Sequence, residues 1–385
     1  MAVDRPHKVL LFIPHLQQGG AERQILELMT RLPPRYAPTL CLYGASDKDR
    51  IHYKDYLPPG EPKHVLGVDE MGPVGLARLV ALLRKERPTI LHSYRDKANF
   101  WARLAAMAAP VPIVLTSVRN RYQGPFYGPA EFVLQHKSSR VLVNSVGIED
   151  ELIHWARVSP DKIQVINNFI DLDRFRPPTD AQRAAARAHY GLAPTDIALI
   201  LPGRLAVQKH QLGLGLALGN LKRAGKLPAN VKLLLAGRKR DKAYSRIVPA
   251  WFDFQHIAEH VQYLDPVKEV DGLYHAADAL VMPSLYEGLP NAVLEAHACA
   301  LPAVVSHAAN RDSIVIDGST GYEVPTLDHR ALTIAIGRMI AHADAERRAM
   351  GARGRTHVAA RFNPERIQAE TVALYDTLVA EKGLA

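Results

Sequence analysis

The chain has 385 residues, 48% of them apolar and 23% charged, which excludes a disordered or fibrous protein and exceeds what one ordinary core organises. A formal net charge of +9 favours anionic partners such as phosphates or acidic membrane headgroups; nucleic acid is not expected, because the densest cationic cluster, residues 238–242, is short and lacks interleaved aromatics. The five-residue apolar run 9–13 is too short for a signal peptide and no stretch approaches the roughly 20 apolar residues of a membrane span, so a cytoplasmic chain is expected.

Short apolar runs alternate with amphipathic periods, the pattern of parallel sheets flanked by helices. Residues 8–14 are the first predicted strand. A glycine turn at Gly19 and Gly20 leads into a helix over 21–32, with Ile25, Leu28, Met29 and Leu32 on one face. A strand at 39–43, a helix at 74–86 ending before Pro88, a strand at 89–92 and a helix at 97–109 follow. Further strands are expected at 113–117 and 140–144. The pattern breaks at Arg176, Pro177, Pro178 and Thr179, which read as a linker. A short helix at 182–190 opens a second series, with strands at 197–201, 231–236, 261–264, 279–282 and 303–306 and helices including 211–224 and 290–300. The tail, 364–381, is a helical pattern after the last predicted strand. Two α/β domains result, 1–176 and 177–363, with a cleft between them and ligands expected at the carboxyl ends of the strands. Cys41 and Cys299 lie in apolar surroundings and read as buried, reduced thiols.

Four stretches carry candidate chemistry. In residues 283–296 a buried strand runs through a glycine turn into a helix, with Pro290 suited to the first helical position. Backbone N–H groups around Gly288, Leu289, Pro290 and Asn291 would then offer a diphosphate a ready anion site. Glu287 precedes that helix and Glu295 lies eight residues later, roughly two turns on. Paired carboxylates suit the vicinal hydroxyls of sugars, although a helix-start charge and a solvated residue would give the same spacing. In residues 202–210, Gly203 permits close backbone approach, and Arg204 and Lys209 can converge on one phosphate or stand as two surface cations. Gly19 and Gly20, after the first strand, suit either a ligand or a tight turn. His92, Tyr94 and Arg119 end strands of the first domain, as acceptor-side groups or as ordinary polar loop ends.

Together these stretches resemble the GT4 family of retaining glycosyltransferases, and the resemblance spans nearly the whole chain. Residues 283–296 resemble the family's motif of two glutamates separated by seven residues, and residues 301–321 continue it. Residues 203–209 are similar to its phosphate-binding loop, residues 19–22 to its N-terminal glycine loop, residues 166–177 to the stretch closing the N-domain, and the tail to the helix crossing back onto that domain. The resemblance implies the GT-B fold: two Rossmann-like, doubly wound parallel-sheet domains facing each other across a cleft. Residues 1–176 with the helix 364–385 would bind acceptor, and 177–363 the nucleotide sugar. It implies that Arg204 and Lys209 neutralise the departing diphosphate, Glu287 holds the sugar and Glu295 the ribose, with backbone from Gly288 to Asn291 as cradle and Gly19 and Gly20 approaching from the other domain. No bound cofactor or metal is implied. The donor would be a nucleotide-diphosphate sugar, a UDP-sugar ahead of GDP- or ADP-sugars. The acceptor would be a glycan or lipid-linked hydroxyl, with peripheral contact at the anionic inner face of the cell membrane. Arg119 and Tyr94 stand where the family often has histidines, and Ala300 where it usually has glycine. Two other functions share the layout: a nucleotide-sugar 2-epimerase-like isomerase and a non-catalytic nucleotide-sugar-binding protein.

Overall fold

The computed structural model describes residues 5–16, 20–44, 63–119, 127–238, 241–265, 267 and 269–384. The chain forms two compact units, Met1–Phe169 with Glu365–Ala385, and Ile170–Pro364.

In the first unit the elements run β1 (His7–Ile13), α1 (Gly20–Arg31), β2 (Tyr36–Leu42), β3 (Lys63–Val65), α2 (Pro73–Glu86), β4 (Ile90–Tyr94), α3 (Asp96–Ala108), β5 (Ile113–Val118), α4 (Tyr127–Leu134), β6 (Arg140–Val143), α5 (Val146–His154) and β7 (Ile163–Val165). The strands form one seven-stranded sheet in the order β3-β2-β1-β4-β5-β6-β7, with parallel neighbours throughout. Helices cover both faces of such a sheet, so its central strands bury consecutive residues: Val9 to Ile13 are all buried, and no in-out alternation is seen.

The second unit continues with α6 (Asp180–His189), β8 (Ile197–Pro202), α7 (Gln211–Arg223), β9 (Val231–Ala236), α8 (Lys242–Phe254), β10 (Val261–Leu264), α9 (Asp271–Ala276), β11 (Ala279–Met282), α10 (Asn291–Ala298), β12 (Ala303–Ser306), β13 (Gly321–Val324), α11 (His329–Ala341) and α12 (Asp344–Arg361). Its six-stranded parallel sheet has the order β10-β9-β8-β11-β12-β13. The last helix, α13 (Pro364–Glu381), belongs to the first unit, where Ile367, Leu374, Tyr375, Leu378 and Val379 enter the core beside β1, β2 and β4. Arg35 grips Asp376 of α13 with two hydrogen bonds of 3.0 and 2.8 Å, and the Tyr36 hydroxyl adds a third.

The units divide at Phe169, ahead of the proline pair. Ile170 and Phe175 carry the reason: both are buried in the second core, and Ile170 N–H bonds Phe362 O at 2.8 Å. Pro177 and Pro178 mark only the approach to α6, which starts on a capping box between Thr179 and Gln182. Strands β3, β7 and β13 are three or four residues long, too short to show a period in the sequence. Cys41 and Cys299 are free and buried.

Candidate functional site

In the second sheet β8 lies beside β11, and the chain winds outward from them in opposite directions. The loops leaving β8 and β11 therefore stand side by side at the switch point, where open parallel sheets bind ligands. The β8 loop is held backbone to backbone against the β9 loop. Gly203 N–H bonds Ala236 O at 2.8 Å, Leu205 N–H bonds Arg238 O at 3.1 Å, and a side chain at Gly237 would overlap the Gly203 carbonyl. Gly203, at φ 155°, also leaves room for the stem of Lys209: a Cβ there would stand 3.0 Å from Lys209 Cε.

After Arg204 the loop makes one 3-10 turn, Val207–Lys209, closed by His210. Lys209 Nζ lies 2.7 Å from Glu287 Oε1, and these side chains are only 13% and 10% exposed. Such a pair is screened far less than one on the surface. Gln208, itself buried, donates to Glu287 Oε2 (3.2 Å) and Tyr286 O (3.0 Å), while its Oε1 accepts from Arg204 at 3.3 Å. Its carbonyl accepts Leu285 N–H at 2.8 Å, which ties the two loops together. Arg204, Lys209 and Glu287 are thus one network, with Gln208 as its hub. An ammonium has three donors and a carboxylate about four acceptor sites, so the pair leaves capacity on both partners.

The helix beyond Glu287 starts one residue later than the sequence suggested. Pro290 is its cap, taking Val293 and Leu294 N–H groups on its carbonyl, and Asn291 is the first helical residue. Gly288 and Leu289 are buried beneath it. The N–H groups of the first turn lie at the positive end of the helix dipole. Glu295 is the fifth residue of α10, little more than one turn in, because Glu287 to Pro290 are loop. It is partly exposed, and the Tyr274 hydroxyl donates to its Oε2 at 2.6 Å. Gln208 and Tyr274 were not singled out in the sequence. Gln208 could have been, as the neighbour of Lys209 in the loop; nothing local marks Tyr274. Ala300, at φ 57°, occupies the left-handed conformation that glycine adopts without strain.

In the first unit, His92 and Tyr94 are enclosed, each 1% exposed. The His92 ring stacks on Tyr94 and is bonded to the Tyr375 hydroxyl (2.7 Å) and the Ser117 hydroxyl (2.8 Å). Burial, then the Arg119 charge, holds its pKa well below the usual histidine value. Arg119 is partly exposed; it lies over the Tyr94 ring and donates to Asn168 Oδ1 at 2.6 Å. These three meet one another, along a cavity of about 30 Å³, rather than facing a loop edge. Gly19 lies outside the described residues, and Gly20 opens α1. The switch point of this sheet, between β1 and β4, brings together charged groups of the stretches around Gly20 and His92. Arg95, at φ 78°, reaches buried Glu22 at 3.2 Å and His15 at 3.4 Å. Burial, then the Glu131 carboxylate, pushes the neighbouring Asp96 carboxyl up to about 7. Among the described residues there is no group of three or more His, Cys, Asp or Glu placed to hold a metal ion, and no helix long and apolar enough to cross a membrane.

Comparison with known proteins extends this geometry. Residues 18–174 match the model of Glycosyltransferase Family 4, and residues 197–342 that of Glycosyl transferases group 1. The chain is 25% identical over 274 residues to the Escherichia coli UDP-Gal:alpha-D-GlcNAc-diphosphoundecaprenol alpha-1,3-galactosyltransferase, covering 69% of each. It is 29% identical over 248 residues to the D-inositol 3-phosphate glycosyltransferase of Mycobacterium sp. (strain KMS); the match covers 60% of this chain but about half, 54%, of that relative. Among solved structures, Anabaena Alr3699/HepE in complex with UDP-glucose superposes with a TM-score of 0.82 at 18% identity, over 96% of this chain and 100% of that one.

Proposed function

The chain belongs to the family 4 glycosyltransferases of GT-B fold, and we propose that it moves a sugar from a UDP-sugar, with retained anomeric configuration, onto a hydroxyl of a glycan or lipid-linked acceptor. The observation that carries this reading is the network joining Arg204, Lys209 and Glu287 at the switch point of the second sheet, beside the start of α10. In this reading the second unit is the nucleotide-sugar domain. The Arg204 guanidinium, the Lys209 ammonium and the backbone from Gly288 to Asn291 face the diphosphate and stabilise the charge that develops on it as it leaves. Glu287 accepts from hydroxyls of the transferred sugar through the oxygen positions its ion pair leaves open. Glu295, steadied by Tyr274, accepts from the ribose hydroxyls. The acceptor hydroxyl attacks the anomeric carbon from the face the phosphate leaves, the new C–O bond forming as the bond to the phosphate oxygen breaks and the hydroxyl proton passing to that departing phosphate. Two cations and a helix start supply the countercharge, so the step is written without a metal ion.

The acceptor is assigned to the first unit, at the loops of its switch point, near Arg95 and the glycine turn that Gly20 ends, and to Arg119; the enclosed His92 and Tyr94 are not assigned contact with it. A uridine donor is supported by the Escherichia coli relative named for UDP-Gal and by the HepE complex with UDP-glucose. Peripheral work at an anionic membrane is supported by the net charge of +9 and by that same relative, named for a diphosphoundecaprenol acceptor.

A thermal-shift screen against UDP-, GDP- and ADP-sugars tests the donor assignment, because a ligand bound only by the folded chain raises its Tm. The largest shift is expected with a UDP-sugar. Replacing Arg204 or Lys209 by Ala should cut release of nucleoside diphosphate by on the order of 100-fold or more. Near-normal release in both variants would remove the proposed roles. Co-sedimentation with anionic vesicles at low salt, lost at high salt, is expected for the membrane contact.

A further inference from the structure

His210 and His329 stand outside the network described above. His329 is the first residue of α11, whose cap is Asp328; His210 closes the turn carrying Lys209 and caps α7. Their Nε2 atoms are 2.9 Å apart, with ring centroids 5.2 Å apart and planes tilted by 33°. Two further observations show that the fold makes room for this contact. His210 takes φ 52°, a left-handed conformation that costs a side-chain-bearing residue about 1–2 kcal/mol. In the first turn of α7, Gly213 leaves space that the His210 ring fills, and a methyl group there would overlap it. Glycine inside a helix costs about 1 kcal/mol against alanine, so this gap is maintained against local preference.

We propose that His210 and His329 form a proton-dependent brace that fixes the turn Val207–Lys209 against α11, making both of them positioning residues for the Lys209 ammonium. The proposal rests on the phosphate-binding role given to that loop above. An Nε2-to-Nε2 hydrogen bond needs one ring donating and the other accepting. It survives with both rings neutral or with one charged. When a second proton arrives, two donors and two positive charges face each other, and the rings must part. His210 lies at a helix N-terminus, where the dipole opposes positive charge. Burial, then His329, holds the His210 pKa below the usual histidine value. Charged or titratable groups also stand on the surrounding elements: Arg204 and Lys209 on the loop, Asp328 and Arg330 beside His329, Tyr244 of α8, whose hydroxyl accepts Leu212 N–H, and Asp241, the cap of α8. The carboxylates of Asp328 and Asp241 are engaged in capping, Asp328 on Ala331 N–H and Asp241 on Ala243 and Tyr244 N–H. Acid therefore breaks the contact, and the turn loses its hold on α11.

The test uses the full chain and two measurements. UDP affinity is measured by calorimetry near pH 8 and near pH 5.5 in the unaltered protein, His329→Gln, His329→Ala and Gly213→Ala. Gln can donate or accept at the same place but cannot titrate. The unaltered protein should lose about tenfold more affinity on acidification than His329→Gln, the worth of one charge-assisted hydrogen bond. His329→Ala and Gly213→Ala should bind UDP about tenfold more weakly already near pH 8. Melting without UDP, over the same pH range, should show the unaltered protein losing more Tm in acid than His329→Gln. Parallel acid losses in the unaltered protein and His329→Gln, or unaltered binding by Gly213→Ala, would overturn the brace. Failure of UDP to bind the unaltered protein at either pH would instead strike the donor-site reading, and the melting curves would still decide whether the brace exists.

Discussion

At the carboxyl end of β4 in the first unit, His92 gives both ring nitrogens to neighbouring side chains, one to Tyr375 of α13 and one to Ser117 of β5. Elsewhere in this unit, Arg103 divides its donors among Ser138, Thr116 and Glu131, all of them buried. At the carboxyl end of β8 in the second unit, Arg204, Gln208 and Lys209 bond mainly to one another and to Glu287, at the edge of the sheet and with lone pairs and N–H groups to spare. His92 and the second network both lie toward the carboxyl ends of central strands, which parallel sheets offer to ligands. The difference teaches that position along a strand does not make a ligand site. In these groups of the first unit hydrogen-bonding capacity is used up in holding elements together; in the network of the second some of it remains.

The comparison breaks most sharply where removal of one partner leaves a charge enclosed. Glu131→Ala would strand the Arg103 guanidinium, 1% exposed, without its counter-ion. A loss of about 3–5 kcal/mol in unfolding free energy is expected, read by denaturant titration, with UDP affinity of the folded fraction unchanged. Lys209→Ala should shift the balance toward function: turnover falls on the order of 100-fold, while Glu287, which keeps its bond from Gln208, loses its counter-ion at a smaller cost in unfolding free energy than Arg103 does in Glu131→Ala. A large stability loss from Lys209→Ala would place the second network in the same class as the first.

The sequence carried one of these networks better than the other, for a physical reason. Gly203, Arg204, Lys209 and Glu287 lie on two loops, and Glu295 on the helix that follows the second, and their spacing mirrors their geometry, since each loop follows directly on a central strand. Apolar runs and helical periods likewise revealed most strands of both sheets, because buried parallel strands are uniformly apolar. Tyr94 ends β4 and His92 lies within it, but the partners of His92, Tyr375 and Ser117, come from 283 and 25 residues away, and nothing local announces the enclosure. The same holds for Tyr274 and for the boundary at Phe169, which follows from where Ile170 and Phe175 pack rather than from the prolines.

A pH series sharpens the contrast at intermediate size. His92 in the first unit and His297 in the second are both buried; burial holds the His92 pKa well below 6.5 and that of His297 near 4. The unfolded chain takes up these protons as pH falls past about 6.5, while the native chain does not until far lower, so stability is intact above that pH and is lost below it. Each group should contribute about 1.4 kcal/mol per pH unit between its two values. His92→Gln, which keeps hydrogen bonds to Tyr375 and Ser117 without titrating, should flatten the melting curve below pH 6.5 while UDP affinity stays the same. An unchanged slope would mean that His92 is already charged in the native protein.

The smallest effect falls on the partner least visible in the sequence. Tyr274 packs edge-on against Phe175, at 5.9 Å between ring centroids, and aims its hydroxyl at Glu295. Tyr274→Phe keeps that packing and removes only the donor, so stability should change by no more than about 1 kcal/mol. The Glu295 carboxylate then loses the bond that steadies it, and UDP should bind about fivefold more weakly, in line with one hydrogen bond of about 1 kcal/mol. The discriminating measurement is the ratio of affinities for UDP and 2′-deoxy-UDP. If Glu295 grips the ribose, deoxygenation weakens binding in the unaltered protein, and Tyr274→Phe narrows that gap by loosening the grip. An equal penalty for the missing hydroxyl in both proteins would mean that the Tyr274 bond does not orient Glu295 toward the ribose, and the pair would then resemble the self-contained hydrogen bonds of the first unit.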